Sequence, residues 1–224
     1  MKRSQVTTKR GDLGETVAIS GEVYSKSHPI FAACGDLDAV RARIAELRLK
    51  LLLDSEYEAE FALDLDLDLD PELALEFESE FVDKEKIEAY TEACFFLYWL
   101  LHVCFLIGAQ CNDPLNRKPE YRNRDLAKVH LEKLEGFQEK LETEVTLPNF
   151  FIVSASNELA ALSDLLCTDV RRLERSIVSL KEAVPEFDTT VLLPFVNRLS
   201  DTIFMLSRWL ENGEHTPVDY AVLD

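Results

Sequence analysis

Apolar residues recur along most of this chain at steps of three and four, the spacing that gathers them on one side of an α-helix. The longest such stripe is Leu159, Leu162, Leu166, Val170, Leu173, Ile177 and Leu180. It predicts a core-facing helix that starts near Ser156 or Asn157, either a fair N-cap, and stops before Val184-Pro185. Leu37, Val40, Ile44, Leu47 and Leu51 repeat in a heptad and predict an earlier helix from about Asp36 to Leu53. Between these, one helix is predicted from about Asp83 to Gln110, halted at Asn112-Asp113-Pro114. Another runs over Asp125 to Glu144 with Leu126, Val129, Leu131 or Leu134, Phe137 and Leu141 inward. A last one covers about Thr190 to Asn212, with Gly213 and a short acidic tail behind it. Residues 18–35 read as extended or loop structure, and residues 115–124 as a charged loop. The fold class expected is all-α, a five-helix antiparallel bundle forming a single domain over residues 1–224.

One stretch breaks the helical period. Leu63, Leu65, Leu67 and Leu69 alternate with Asp64, Asp66, Asp68 and Asp70, and the alternation resumes after Pro71 through Leu73, Leu75 and Phe77. Period two on both sides of an Asp-Pro turn reads as a β-hairpin with one apolar and one acidic face, or as an unstructured acidic loop where nothing covers its leucines. Residues 54–86 are therefore treated as an acidic insertion, a docking surface for a protein partner or a solubilising one.

Composition narrows the function. The chain has 224 residues, 47% of them hydrophobic, enough for one sizeable core, and only 7 Gly and 8 Pro. A net charge of −18 argues against general nucleic-acid binding. Most of that charge sits in the acidic insertion, so an anionic ligand stays open wherever basic residues converge. The cysteines number 5, an odd count without metal-like pair spacing, which describes reduced thiols. The apolar run Ala93 to Ala109 is shorter than the ~20 residues of a membrane span and contains His102, so a buried bundle helix is expected and no membrane segment. No second ligand stands at helical spacing from His102, and no metal site is expected.

Candidate chemistry lies in two places. On the Leu159 to Leu180 helix, Cys167, Arg171 and Arg175 stand four apart with Arg172 and Glu174 beside them. Guanidinium groups are planar, permanently charged and able to bond phosphate oxygens in pairs, so several together can grip a polyphosphate; alone, the block reads first as a solvated basic face with a local Glu–Arg pair. Near the N-terminus, Thr7 to Val17 (TTKRGDLGETV) places two glycines among Lys9, Arg10, Asp12 and hydroxyls, a loop able to surround phosphate or simply a polar arm.

Taken together and in order, these motifs resemble those of the PduO-type ATP:cob(I)alamin adenosyltransferases. Thr8, Lys9, Gly11, Asp12, Gly14 and Thr16 stand in register with that family's N-terminal loop, and Lys26 and Pro29 with the lysine and proline downstream. Gly35 and Asp38 match a Tyr-Gly-Thr-x-Asp-Glu-Leu motif; Phe105, Gly108 and Ala109 echo Phe-x-Leu-Gly-Ala. Phe151-Ile152 opens the counterpart of Phe-Ile/Val-Leu-Pro-Gly-Gly, Cys167 to Arg175 that of Arg-x-x-x-Arg-Arg-x-Glu-Arg, and Asn197 to Asp201 is Asn-Arg-Leu-Ser-Asp intact.

The resemblance implies a homotrimer with ATP and a corrinoid (cobalamin) bound where subunits meet, and transfer of the 5′-deoxyadenosyl group of ATP to reduced cobalt with release of triphosphate. Thr8, Lys9, Gly11, Asp12, Thr16, Lys26, Arg171, Arg172, Glu174, Arg175, Asn197 and Asp201 would then hold ATP and its Mg²⁺-bound phosphates. Phe151 would occupy the lower face of the corrin, and Asp38, Arg171 and Phe151 would form the catalytic set. Four departures stand out. Cys167 replaces an arginine that pairs with the aspartate matching Asp38, and Arg41, three residues beyond Asp38, is expected to supply that charge so that Asp38 is not left a lone buried anion. Ser154-Ala155-Ser156 replaces Pro-Gly-Gly, and Glu15 and Val17 replace a threonine and a glycine of the phosphate loop. The alternative reading is a weak or inactive relative kept as a binding or structural subunit. The compartment expected is the cytoplasm, or mitochondria if the sequence is trimmed.

Overall fold

The computed structural model describes residue 9 and residues 11–65, 84–122, 124–153 and 155–223, with backbone alone for 55–65, 84 and 85. A short antiparallel hairpin, β1 (Glu15–Val17) and β2 (Val23–Ser25), precedes the helices α1 (Pro29–Leu65), α2 (Lys84–Asn112), α3 (Lys128–Glu144), α4 (Glu158–Ala183) and α5 (Leu192–Leu210). The all-α bundle expected from the periodicity is what the chain forms.

Packing follows the apolar stripes. Leu166, Val170, Leu173, Ile177 and Leu180 of α4 are fully buried between α1 and α5, against Val40, Ile44, Leu47 and Leu51 of α1 and Phe195, Val196 and Ile203 of α5. Neighbours run antiparallel with one exception: α3 lies parallel to α5, as the pairs Glu135 with Arg198, Gln138 with Thr202 and Glu144 with Trp209 show. On the other flank α2 meets α3 through Phe96 and Phe137, stacked with centroids 3.7 Å apart, and the bundle is closed.

Several boundaries differ from the expectation. Helix α1 begins at Pro29, within the stretch read as loop, because a proline whose N–H is missing suits the first helical position, where that donor has no partner anyway. It also runs on through Leu65, so Leu63 to Leu65, where the alternation begins, are helical; the preceding Glu and Ala residues are good helix formers. The remainder of the hairpin expected in the acidic insertion lies outside the described residues. Helix α3 starts at Lys128 rather than Asp125, with Ala127 extended in front of it, and Val129 is 63% exposed instead of inward because Leu134 and Leu141 define the buried side. Helix α2 is long and apolar enough to cross a membrane, yet half of its most apolar window is buried in the bundle. Phe95, Tyr98 and Phe105 on its other side are exposed.

Replacing Leu173, fully buried at the centre of α4, by alanine is expected to lower unfolding stability by about 2–5 kcal/mol in a denaturant titration, as cavity-forming changes in cores do.

Candidate functional site

The N-terminal hairpin is a small platform for cations. Its strands pair Glu15 with Ser25, Thr16 with Tyr24 and Val17 with Val23, and the Lys26 amide donates to the Gly14 carbonyl at 2.8 Å. Gly14 has φ 84°, a turn geometry that glycine adopts without strain. A Cβ on Gly11 would lie 2.9 Å from the Lys26 ammonium, so the absence of a side chain there lets Lys26 fold over the loop. Lys9 and Asp12 are exposed and Thr16 half-buried, while Thr8 lies outside the described residues. Glu15 is exposed on the same strand as Thr16.

A relay of polar groups fastens this platform to the bundle. Glu22 accepts from the Tyr24 hydroxyl and from Arg117, and the buried Asp113 caps the backbone amides of Arg117 and Lys118 at 3.0 and 2.7 Å. The Tyr24 hydroxyl, followed by Arg117, holds the Glu22 carboxyl below its ordinary range, and the same contact pushes Tyr24 up. On the other side the Ile19 amide donates to Asn112 Oδ1 at 2.7 Å.

On α4 the three arginines have different roles. Arg172 bonds Asp36 of α1 at 2.8 Å and Asp169 at 3.2 Å, so it is engaged in joining helices. Arg171 and Arg175 are exposed and make no ion pair among the described residues. Glu174 accepts from Asn197 of α5 at 3.1 Å, bringing that asparagine beside the two unpaired arginines. Asp201 pairs instead with Arg198 at 3.3 Å. Cys167, one turn before Arg171, is buried; its thiol donates to the Ser200 carbonyl at 3.3 Å, and burial pushes it up from the usual thiol range.

Asp38 is neither lone nor buried. It is exposed and paired with Arg41 at 2.9 Å, as the sequence led us to expect of Arg41, and that guanidinium also lies over the Phe105 ring, 5.3 Å from its centroid. Both residues line a groove of about 520 Å³ between α1 and α2, with Leu37, Phe105, Gly108 and Arg124.

Phe151 stands at the far end of α4, 80% exposed, beside a concavity of about 330 Å³ shared with Phe150, Phe204 and Arg208. Its backbone is fixed by a segment read from sequence only as a tail: the Val218 amide donates to the Phe151 carbonyl and the Val153 amide to the Thr216 carbonyl, both at 2.9 Å. Ser154 lies outside the described residues, and the Ser156 amide donates to Glu211 at 3.0 Å. Arg208, Glu211 and His215 were missed in the sequence, although their spacing of three and four was a legible signal.

The hairpin and Phe151 lie towards opposite ends of α4. The hairpin shares a cavity with Ala183 and Val184 at the C-terminal end of α4, whereas Phe151 shares its concavity with Asp164 in the N-terminal part of that helix. A helix of 26 residues is about 39 Å long, and Arg171 falls near its middle.

The sequence profile of the cobalamin adenosyltransferase family matches residues 6–210. A corrinoid adenosyltransferase of Mycobacterium leprae is 32% identical over 112 residues, covering 49% of this chain and 59% of the relative. One of Mycobacterium bovis is 29% identical over 121 residues, covering 50% and 63%. The matched stretches thus span about six tenths of the curated relatives' length. Two variants of a PduO-type ATP:corrinoid adenosyltransferase from Lactobacillus reuteri, each complexed with cobalamin and ATP, superpose with TM-scores of 0.69 and 0.67 at 20% identity. They cover 96% of this chain, and 96% and 99% of their own. The profile match over nearly the whole chain is decisive: this protein belongs to the cobalamin adenosyltransferase family.

Proposed function

We propose that the protein transfers the 5′-deoxyadenosyl group of ATP to the reduced cobalt of a corrinoid and releases triphosphate. The observation that carries this reading is the pair of exposed arginines, Arg171 and Arg175, which make no ion pair among the described residues and stand beside Glu174 and Asn197. The cobalt–carbon bond forms with an electron pair from cobalt as the bond from C5′ to the triphosphate oxygen breaks. The leaving group then carries the developing charge, and permanently charged, bidentate donors placed for it stabilise the transition state more than the ground state. Lys26, folded over Gly11, and the exposed Lys9 add two cations at the hairpin. Mg²⁺ would enter with the triphosphate, whose charge it neutralises.

In this reading the site is built between copies of the chain, in a homotrimer, so that the hairpin of one subunit meets the α4 face and Phe151 of the next. The length of α4 between those parts supports this, as do the exposed Phe95, Tyr98 and Phe105. Phe151 covers the lower face of the corrin, keeping a ligand from cobalt there and easing its reduction. The acidic insertion serves as a docking surface for a further protein, and the compartment is the cytoplasm. A second reading, a binding subunit with little activity, is favoured by Glu15, whose exposed carboxylate shares the hairpin with the lysines and opposes triphosphate.

Anaerobic mixing with ATP, Mg²⁺ and chemically reduced cobalamin separates the two. Conversion to the adenosylated corrin absorbance is expected; no product together with no ATP heat in calorimetry supports the second reading. Arg171→Ala is expected to lower kcat/KM by about 10²-fold, the loss typical of one transition-state donor, with little change in thermal stability. Gly11→Ala is expected to raise KM for ATP while leaving the fold intact, because the atom it displaces is the mobile end of Lys26; an unchanged KM would show that Lys26 does not reach the phosphates.

A further inference from the structure

Beneath the Phe151 segment lies a cluster of charge that the proposed chemistry does not use. Arg208 of α5 is 2% exposed and donates through Nη2 to both carboxylate oxygens of Asp164 on α4, at 2.8 and 3.0 Å. Its Nη1 pairs at 3.3 Å with Glu211, which is equally buried, and its guanidinium carbon sits 5.3 Å from the Phe204 ring centroid. Glu211 accepts in turn from His215 Nδ1 at 2.7 Å and from the Ser156 amide at 3.0 Å. Arg208 Nε and His215 Nε2 are buried without a hydrogen-bond partner among the described residues.

Such a cluster is a poor way to gain stability. Charges taken out of water are repaid only by full pairing, and apolar side chains of similar size commonly do as well or better. What it does supply is direction. The cluster joins α4, α5, the Ser156 turn and the chain after α5, and immediately beyond His215 the residues Thr216 and Val218 pair with Val153 and Phe151.

We propose that His215 is a positioning residue for Phe151: through Glu211, Arg208 and Asp164 it latches the 214–218 segment to the bundle, and that segment holds the Phe151 backbone in place. The inference rests on the reading that Phe151 faces the corrin. A side chain that is 80% exposed has few contacts of its own to orient it, so its direction is set by the backbone beneath it. Losing the latch frees the Phe151 backbone while the helices stay packed.

The test compares His215→Phe, which fills the space without a donor, with His215→Asn, which keeps a donor near the position of Nδ1. In hydrogen exchange, His215→Phe is expected to speed the Val153 and Val218 amides at least tenfold, with the Val170 amide in α4 unchanged. Its KM for corrinoid is expected to rise at least tenfold with KM for ATP within twofold, and the absorption change of bound cob(II)alamin on loss of its lower ligand is expected to disappear. His215→Asn should restore all three. Wild-type exchange at Val153 and Val218 in His215→Phe overturns the latch. So do faster amides without change in corrinoid KM or spectrum, which would leave the cluster merely structural. Should His215→Phe not fold, the same measurements on Glu211→Gln decide in the same way. A wild-type protein that binds no corrinoid refutes the functional reading instead, and the exchange comparison still judges the latch.

Discussion

The buried stripe of α4 is the constraint on which the remaining geometry depends. With Leu166, Val170, Leu173, Ile177 and Leu180 all at zero exposure between α1 and α5, the helix has one permitted rotation about its axis. Turning it by a single residue would drive charged positions into the core at a cost far above the chain's net stability. That rotation aims Arg172 at Asp36 of α1, Glu174 at Asn197 of α5, and Arg171 and Arg175 at solvent. Apolar packing thus sorts the arginines into one that ties helices together and two that face solvent.

Charge is distributed with the same economy. A protein of net charge −18 repels polyphosphate as a whole, and several of its exposed cations, Lys50, Arg117, Lys128, Lys140 and Arg172, are paired with acids nearby. Lys26, Arg171 and Arg175 are exceptions among the described residues, and the hairpin and α4 hold them at separate places. The Cys167 position shows the same rule. A buried thiol bonded to the Ser200 carbonyl needs no counter-charge, and Asp38, out in solvent, finds its partner in Arg41 on its own helix. An exposed pair of this kind is worth at most about 1 kcal/mol, so its importance lies in where it places charge along the groove rather than in stability.

Much of this was legible in the sequence, and the exceptions have physical causes. Periodicity located the five helices of the described residues because each buries a stripe, but it grouped Cys167 with Arg171 and Arg175, whereas the thiol is buried and the two arginines are exposed. It mistook the start of α1, since Pro29 punctuates a chain and begins a helix equally well. It also put Val129 inward, because an apolar residue near a helix end carries no information about which turn is the first. The pairing of Phe151 to Val153 with Thr216 to Val218 was hidden because contacts of that sequence separation leave no local pattern. Arg208, Glu211 and His215 showed their spacing but not their burial, and charged residues at helical intervals ordinarily lie on the surface.

The central claim is that the hairpin of one copy and the α4 side of another complete a single site. Its most direct test mixes two variants, Lys26→Ala and Arg171→Ala, each expected to be strongly impaired alone, after dissociation and reassembly together. If the site is shared, about a quarter of the interfaces in a random trimer carry both intact halves and adenosylation returns to about that fraction of wild type. A mixture as inactive as its components would contradict the account.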